Sequence, residues 1–261
     1  MGAMRLVTWN VNSMKARADR VLEWMVDIEP DVVCFQETKM EQDAFPTMDF
    51  AAIGYETAHF GQGRWNGVAI ASRVGLDDVV ENFAAGVEPD HEARIISATC
   101  AGVRVSSVYV PNGRALDDDH YQYKLGWLDR LVEHLEVSAS RDQPVVVAGD
   151  YNIAPTDDDV FDPAEMLGST HVSDAERDRL AALERWGLVD LFRRRYPDAA
   201  GVYSWWDYRN GDFHKGRGLR IDLVLGTEAV AAATTWAIVD RNARKGKQPS
   251  DHAPVIAEFE L

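Results

Sequence analysis

Residues 145–152 read Val145-Val146-Val147-Ala148-Gly149-Asp150-Tyr151-Asn152, a continuous apolar run followed directly by polar residues. Four small or β-branched apolar residues in succession are typical of a strand that is covered on both faces. Gly149, Asp150 and Asn152 follow the run, and the end of a strand is a usual place for a functional site. This stretch therefore predicts a buried strand with functional side chains at its end.

Similar short runs recur throughout the chain, each of about 4–8 residues, as strands are. Apolar residues at helical spacing occur in four further stretches. The predicted strands comprise residues 5–11, 31–36, 67–72, 95–100, 103–110, 145–148, 221–225, 235–239 and 255–259. The predicted helices comprise residues 13–29, 121–135, 173–186, which opens with a Ser173/Glu176 capping box, and 188–196.

The predicted strands outnumber the helices, and the helices are scattered among them. Neither a simple parallel βαβ array nor an all-β barrel fits this order. The pattern favours an α/β protein with two packed sheets and helices on their outer faces. No repeat or Gly-, Ser- or Pro-rich linker interrupts residues 4–261, so we predict one domain, and residues 1–3 resemble a cloning remnant.

The composition excludes several classes of protein. The 261 residues are 46% hydrophobic and 27% charged, unlike a disordered or collagen-like chain. Two cysteines exclude a disulfide framework, and the apolar surroundings of Cys34 and Cys100 predict buried, reduced thiols. Because the sequence contains neither a run long enough to span a membrane nor a secretory signal, we expect a cytoplasmic protein without membrane contact.

The charge is distributed unevenly along the chain. The formal net charge is −16, which by itself argues against a polyanionic partner. Residues 185–247 nevertheless contain 12 Lys or Arg and 7 Asp or Glu, a net of +5, so the remainder carries −21. The acidic runs 77–78, 117–119 and 157–159 are typical of solvated loops or helix starts. The basic segment is either an ordinary mixed surface or a face that binds phosphates.

Polar residues stand where several predicted strands begin or end. Each fragment alone is typical of a turn or a solvated strand end. Together they combine carboxylates with Asn, His and Tyr side chains, a donor set that suits Mg²⁺ or Mn²⁺ and does not suit zinc. The fragments are Trp9-Asn10-Val11-Asn12, Gln36-Glu37-Thr38-Lys39, Tyr109-Val110-Pro111-Asn112-Gly113, Gly149-Asp150-Tyr151-Asn152, Arg220-Ile221-Asp222 and Ser250-Asp251-His252-Ala253-Pro254.

In this order the fragments resemble the endonuclease/exonuclease/phosphatase superfamily. The stretches Tyr203-Ser204-Trp205-Trp206-Asp207-Tyr208-Arg209 and Arg217-Gly218-Leu219-Arg220-Ile221-Asp222-Leu223 are similar to the exonuclease III branch of abasic-site (AP) endonucleases. The resemblance implies a deoxyribonuclease I-like, four-layer α/β sandwich, in which two mixed sheets pack face to face between helices. It also implies a metal-dependent DNA repair nuclease. Such an enzyme incises DNA 5′ to abasic sites and processes 3′ ends as a 3′→5′ exonuclease or 3′-phosphatase, in a balance that the sequence leaves open.

The resemblance also implies which residues surround the metal. Glu37 would be the principal ligand, and Asn10 would help to hold the ion or its waters. Asp251 would orient its neighbours or contact the metal. The full predicted set around Mg²⁺ or Mn²⁺ is Asn10, Glu37, Asp150, Asn152, Asp251 and His252.

Five residues are expected to carry the chemistry. Asp150 would orient or deprotonate the attacking water, and Asn152 would donate hydrogen bonds to the phosphate. Asp222 would fix the tautomer of His252 and favour its charged form. Tyr109 would donate its hydroxyl to the phosphate or the leaving group. The general base is either Asp150 or His252, and we prefer Asp150.

A pocket for the lesion is expected beside these residues. By the resemblance, Trp205, Trp206 and Leu219 wall a pocket for an extruded, base-less sugar, although an aromatic pair more often belongs to a core. Arg94 and Lys124 match positions near the site and are predicted to help bind DNA. Arg94 could equally form a salt bridge at the edge of a strand.

Two other functions are compatible with the sequence. One is a phosphatase or phosphodiesterase of the same superfamily that acts on a small or lipid substrate, and the other is an inactive binding module. The Trp205-Trp206 pair and the basic segment favour DNA, and the complete set of polar residues argues against inactivity. The expected partner is double-stranded DNA with abasic sites or blocked 3′ ends, bound by a monomer in the cytoplasm, at the nucleoid.

Overall fold

The apolar runs form twelve strands within residues 2–261, the part of the chain that the computed structural model describes. The strands are β1 (Ala3–Asn10), β2 (Val32–Gln36), β3 (Glu56–Phe60), β4 (Val68–Ser72), β5 (Asp77–Glu81), β6 (Ile95–Cys100), β7 (Val103–Tyr109), β8 (Val145–Asp150), β9 (Leu188–Asp190), β10 (Asp222–Thr227), β11 (Thr234–Val239) and β12 (Val255–Glu260). The α-helices are α1 (Met14–Ile28), α2 (Thr47–Ala52), α3 (Asp119–Ser138), α4 (Pro163–Met166), α5 (Asp174–Trp186), α6 (Leu191–Arg195), α7 (Asp212–Lys215) and α8 (Glu228–Ala233).

The strands pair into two sheets of six. The first has the order β11-β12-β1-β2-β4-β3, and the second has the order β5-β6-β7-β8-β10-β9. Strands β1 and β2 are parallel, as are β7 and β8, and the remaining pairs are antiparallel. Both sheets are therefore mixed, as predicted.

The hydrophobic residues divide into layers that match the predicted sandwich. Leu6 and Cys34 of the first sheet pack against Val105 and Ala148 of the second in a core between the sheets. Helix α1 covers the outer face of the first sheet, and α3 and α5 cover the outer face of the second. Full burial of a side chain such as Leu6 stabilises the fold by roughly 1.5–3 kcal/mol. The four-layer α/β fold is confirmed.

Helix boundaries follow local capping. The Ser173 side chain accepts from the backbone N–H of Glu176, and the Glu176 side chain accepts from the N–H of Ser173, so the predicted capping box is confirmed at the start of α5. Asp118 caps α3, and the acidic run 117–119 is thus a helix start. Helix α1 ends at Ile28, and the next residue, Glu29, has a left-handed φ of 51° and precedes Pro30.

Three edge segments differ from their predictions. Residues 188–196 were expected to be one helix, but 188–190 pair with β10 as strand β9 before α6 begins. Asp190 ends the strand and caps α6, because its side chain accepts a hydrogen bond from the backbone N–H of Arg193. Strands β3 and β5 lack a clear apolar pattern because they are edge strands, where charged residues are common. Strand β1, which lies inside the first sheet, also begins earlier than the predicted residue 5: it begins at Ala3, which pairs with Glu260.

Cys34 and Cys100 are buried and form no disulfide, as predicted. Burial raises the pKa of both thiols, that of Cys100 to about 11, so the reactive thiolate is disfavoured. Within residues 2–261, no helix has the length and apolar character needed to cross a membrane.

Candidate active site

The two sheets bring their polar strand ends together at one edge of the sandwich. In the first sheet, Asn10 lies level with Gln36, the residue before Glu37. In the second, Asp150 lies between Tyr109 on β7 and Asp222 on β10. This register explains why motifs that are separated by more than a hundred residues meet.

A close approach of two strands makes Gly149 necessary next to Asp150. A Cβ atom at Gly149 would lie 1.9 Å from the backbone oxygen of Val108, a distance that real Cβ atoms essentially never show. The glycine therefore allows β7 and β8 to carry Tyr109 and Asp150 side by side.

Glu37, Asp150 and His252 form the central cluster. Each offers a ligand atom, and these three atoms all lie within 4.8 Å of one another. Asn10 joins the two carboxylates, since its Nδ2 donates to Glu37 Oε1 (2.8 Å) and to Asp150 Oδ2 (2.9 Å). The Asn10 oxygen accepts from the N–H of Asn12 at 3.0 Å. Asn10 thus joins the two carboxylates, and its oxygen retains a second lone pair.

Several site residues have left-handed backbone conformations. Glu37 has a φ of 51°, Lys39 of 54°, Asn12 of 44° and Asn152 of 52°. Such conformations in residues other than glycine cost roughly 1–3 kcal/mol each and persist where surrounding contacts hold them. The contacts around the site therefore hold these four residues in conformations that cost free energy.

The buried charges have displaced pKa values. Burial raises the pKa of Asp150 to about 7, and the nearby Asp222 carboxylate acts in the same direction, while His252 opposes both. Burial lowers the pKa of His252, but the carboxylates of Asp222 and Asp150 outweigh this effect and raise it to about 10. His252 is therefore an imidazolium at neutral pH, and its Nε2 lies 3.8 Å from Asp150 Oδ2.

A second group of polar contacts surrounds the cluster. Lys39 Nζ lies 2.8 Å from Glu37 Oε2 and donates to Asn12 Oδ1 at 2.6 Å. Asp251 accepts from Asn12 Nδ2 at 2.9 Å and from Trp205 Nε1 at 3.1 Å. Asp251 thus orients its neighbours and lies outside the three-residue cluster. Lys39 belongs to one of the sequence fragments, but its identity alone indicated no role.

Asn152 is held from several sides. Its Nδ2 donates to the Val110 oxygen at 2.9 Å, and its own backbone oxygen accepts from Lys124 Nζ at 2.7 Å. Lys124 is 0% exposed and is ion-paired with Glu176, which is also 0% exposed. The prediction that Lys124 binds DNA is therefore wrong for this structure. Instead, the Lys124 ammonium donates to the Asn152 backbone and holds it in place. The Glu176 carboxylate compensates the buried charge of Lys124.

Glu176 is a site-supporting residue that sequence reasoning missed. The same carboxylate that completes the capping box of α5 accepts from Thr170 Oγ1 (2.8 Å) and from the N–H of His171 (3.0 Å). His171 Nδ1 lies 2.5 Å from the backbone oxygen of Asn152. The capping pattern was visible in the sequence, but nothing in it indicated the buried lysine partner.

Arg94 contacts the site through Tyr109. The Arg94 guanidinium lies 4.6 Å from the centre of the Tyr109 ring and donates to the backbone oxygen of Tyr109 at 3.1 Å. It also pairs with Glu92 at 2.5 Å. Arg94 is 5% exposed and its charge is paired with Glu92, so this structure contains the predicted salt bridge, and contact of Arg94 with DNA stays a prediction. Burial and the Glu37 carboxylate raise the pKa of Tyr109, so its hydroxyl stays protonated.

The predicted lesion pocket is only partly assembled. Trp205 is half-buried beside the cluster, with its ring centre 6.5 Å from that of His252 and 6.5 Å from that of His171. Trp206 faces away and packs against Phe213, because consecutive residues of an extended segment point in opposite directions. Leu219 is 1% exposed and forms a backbone β-bridge with Trp205. Its side chain belongs to a small apolar cluster against which Trp205 packs. Trp205 and Leu219 thus pack together, whereas Trp206 packs elsewhere, and the lesion pocket itself stays a prediction.

Two carboxylates, an imidazole and a hydroxyl lie at the joined edges of the two sheets, a donor set that suits a hard divalent cation. Residues 7–252 match the model of the "Endonuclease/Exonuclease/phosphatase family". The chain belongs to this family, which confirms the resemblance seen in the sequence.

Two relatives indicate the branch of the family to which the chain belongs. The chain is 31% identical to an exodeoxyribonuclease of Bacillus subtilis, over 97% of this chain and 98% of that protein. It is 30% identical to exodeoxyribonuclease III of Haemophilus influenzae, over 98% of this chain and 100% of that protein. These matches confirm an exonuclease III-type hydrolase, whose family is dependent on divalent metals.

Solved structures agree with this placement. An AP endonuclease from Archaeoglobus fulgidus has a TM-score of 0.95 and 36% identity, over 99% of this chain and 100% of that one. The 3′-5′ exonuclease NExo from Neisseria meningitidis has a TM-score of 0.95 and 41% identity, with the same coverage. NExo is also described as a 3′ phosphatase, in a complex with product DNA hairpin, with a TM-score of 0.93 and 40% identity over 99% of this chain and 100% of that one.

Proposed function

We propose that this DNA repair nuclease acts chiefly on DNA 3′ ends, removing 3′-phosphates and 3′-terminal nucleotides. The observation that carries the proposal is the Glu37–Asp150–His252 cluster, whose ligand atoms lie within 4.8 Å of one another, beside the buried apolar side chain of Leu219, which is 1% exposed. A terminal phosphate needs the cluster but no pocket for an extruded sugar. The similarity to NExo, named as a 3′ phosphatase and 3′-5′ exonuclease, supports a preference for 3′ ends over abasic sites.

The chain's own residues can perform the hydrolysis. A pKa of about 7 suits Asp150 as the general base that takes a proton from the attacking water. His252, as an imidazolium, would donate from Nε2 to a phosphate oxygen. The Asn152 amide has two protons, and the one not used by Val110 would bind the phosphate. Tyr109 would donate its hydroxyl to the leaving oxygen.

The donor set fits a hard divalent cation, and we propose Mg²⁺, with Mn²⁺ as a substitute. Glu37 would hold the ion with help from the Asn10 oxygen, because Asp150 is needed as the general base and a protonated His252 has no free lone pair to offer. Such an ion, when bound, polarises a phosphate oxygen and stabilises charge on the leaving oxygen. Lys39 neutralises Glu37 in this structure and would share that carboxylate with the ion.

Incision at abasic sites is the second candidate function. Trp205 favours it, because this half-buried indole lies directly beside His252 and could contact a deoxyribose. Since Leu219 is covered, a sugar could enter only if the contacts between Trp205 and its neighbours opened. We therefore expect abasic incision to be slower than 3′-end processing.

The expected partner is double-stranded DNA, and the expected site of action is the cytoplasm, at the nucleoid. All the proposed catalytic residues come from one chain, so we propose that the enzyme acts as a monomer.

Three duplexes test the proposal, one with a 3′-phosphate at a nick, one with a recessed 3′-hydroxyl and one with a single abasic site. Each is incubated with Mg²⁺ and the products are identified on gels, with Glu37→Gln as the control for contaminating nucleases. We expect the 3′-phosphate to be removed fastest. Faster abasic incision would reverse the order of the two functions. Failure to cleave any duplex, with release of phosphate from an inositol or lipid headgroup, would overturn DNA as the substrate.

A further inference from the structure

A cleft lies beside the active site, between residues 207–214 and 244–249. It has a volume of about 330 Å³, and the residues that matter for its chemistry are Tyr208, Phe213, His214, Arg244, Lys245 and Pro249. Tyr208 donates its hydroxyl to the Pro249 oxygen at 2.7 Å, which closes one end. Pro249 precedes the Ser250-Asp251-His252 segment, so the cleft adjoins the catalytic edge. We call it the Arg244 cleft.

The guanidinium of Arg244 lacks polar partners. Arg244 is 7% exposed, and its Nε and Nη1 are enclosed without a hydrogen-bond partner in the described residues. Its guanidinium carbon lies 4.7 Å from the centre of the Phe213 ring and 5.6 Å from those of Trp206 and Tyr208. Buried polar groups are normally satisfied, and a buried charge is normally paired. An unpaired cation that lines a cleft therefore points to a missing anion.

The carboxylates of the cleft do not supply that anion. Asp207 is bound by Arg209, whose Nη2 lies 2.6 Å away. Asp212 lies 3.6 Å from Arg217 Nε, and its Oδ1 accepts no hydrogen bond among the described residues. Neither acid forms a hydrogen bond or an ion pair with Arg244 in the part of the chain that the structure describes.

Further cations around the cleft also lack carboxylate partners among residues 2–261. Arg17 donates to the Pro249 oxygen and to the Tyr208 hydroxyl, Arg20 donates to the oxygen of Ala243, and Arg241 donates to that of Phe213. Burial lowers the pKa of Arg244, Tyr208 and Asp251 act in the opposite direction, and the positive charges of Arg17 and Arg20 lower it further. The cleft is therefore a locally positive region on a chain of net charge −16.

We propose that the Arg244 cleft binds a backbone phosphate of the DNA, one that flanks the phosphate being hydrolysed. This inference rests on the proposed DNA substrate and adds a second anchoring point to it. Arginine suits the role because its guanidinium makes charge-assisted hydrogen bonds to phosphate oxygens. Lys245 at the rim adds a second cation. The site contributes affinity and position, and the catalytic cluster remains the place of hydrolysis.

Salt-dependent binding provides the first test. The affinity of a fluorescent DNA hairpin with a recessed 3′ end is measured in EDTA, at several salt concentrations, for wild type and Arg244→Gln. We expect binding to weaken about tenfold and the log–log salt slope to become shallower by about 0.9, the value for one phosphate contact. Arg141→Gln is the matched control, because Arg141 is an exposed arginine outside both the cleft and the basic segment 185–247. Equal slopes for Arg244→Gln and wild type would overturn the proposal.

Arg244 packs against three aromatic rings, so its substitution could disturb folding. Lys245→Gln, an exposed change in the same cleft, is therefore measured alongside it and is expected to flatten the slope in the same way. An unchanged slope in Lys245→Gln would count against the cleft. Circular dichroism verifies the fold of each variant.

A measurement on unsubstituted protein separates the sources of phosphate. The Nε–H signal of Arg244 in ¹⁵N-arginine-labelled protein, assigned with Arg244→Lys, is followed during addition of the hairpin or of inorganic phosphate. A saturable shift with the hairpin supports the proposal. A shift with inorganic phosphate alone would identify a free-anion site, and no shift with either would leave no phosphate site; both overturn it. If wild type also neither binds nor cleaves DNA, the proposed function itself fails.

Discussion

Both carboxylate oxygens of Asp222 contact the same nitrogen of His252, with distances of 2.9 and 3.1 Å to Nδ1. Asp222 is 0% exposed and His252 is 4% exposed, so water does not screen this pair. Nδ1 of His252 is therefore hydrogen-bonded to Asp222, and Nε2 points towards Asp150. A charged imidazole of fixed orientation is thus part of the resting site.

Removal of this pair should lower activity and change its pH dependence. His252→Ala should reduce kcat by at least about 10²-fold, the lower end for a positioned acid–base group. In Asp222→Asn, the loss should be similar or milder at neutral pH. Because Asp222 raises the pKa of His252, the amide variant should lose the imidazolium at a lower pH than wild type. Activity should therefore fall earlier on the alkaline side.

Rates of 3′-phosphate release between pH 6 and 10 measure this change, and the His252 ring signals in NMR report its protonation directly. Superimposable alkaline limbs for wild type and Asp222→Asn would contradict the assigned role. A much larger loss for Asp222→Asn than for His252→Ala would indicate that Asp222 contacts water or metal itself.

Metal dependence should follow from Glu37. Glu37→Gln keeps the shape of the side chain but removes the charge that a hard cation requires, so we expect most of the activity to be lost and the fold to be retained. Titration calorimetry with Mn²⁺ should show weaker binding by the variant. Glu56→Gln, an exposed position on strand β3, is the matched control and should behave as wild type. Full wild-type activity in excess EDTA would exclude a metal requirement.

Trp205 should matter more for one substrate than for the other. Trp205→Ala removes the apolar surface beside His252, so it should depress abasic-site incision far more than 3′-phosphate removal. Trp206→Ala is the contrasting variant, because that ring packs against Phe213 and its loss should mainly lower the melting temperature. Both activities are assayed on one folded preparation of each. Proportional loss of both activities in Trp205→Ala would assign Trp205 to the shared catalytic centre.

The Lys124–Glu176 pair should contribute strongly to stability. Lys124→Met leaves Glu176 as an unpaired buried charge, and breaking a buried pair in this way costs roughly 3–5 kcal/mol. Urea unfolding at pH 7 measures the change. Lys15→Met, at an exposed position of α1, is the control, and Lys124→Met combined with Glu176→Gln should recover part of the loss. A loss no larger than that of Lys15→Met would contradict the assignment.

The same pair predicts how stability changes with pH. Burial raises the pKa of Glu176, but Lys124 and the neighbouring hydrogen bonds outweigh it and hold the pKa below the ordinary value of 4.5. A depressed carboxyl pKa contributes stability that is present above the unfolded value and is lost as pH falls through the folded one. Wild type should therefore lose this contribution below about pH 4.5, whereas Glu176→Gln should not.

The sequence by itself determined most of the sandwich and the set of catalytic side chains. Strands such as 145–150 could be recognised because an apolar run bounded by glycine and polar residues is a local pattern, present before any folding. Glu37, Asp150 and His252 could be identified because each stands at a strand boundary within a motif that resembles a family. These features depend on residues that are neighbours in the chain.

Only the tertiary structure decided where the other side chains point and what they contact. Lys124 and Arg94 are cations in the sequence, but the fold buries one against Glu176 and the other against Tyr109. Trp206 and Arg244 come together from segments about forty residues apart, and the resulting cleft has no signature in either segment. Burial, charge pairing and side-chain direction arise from packing between distant segments, and a local pattern of residue types does not encode them.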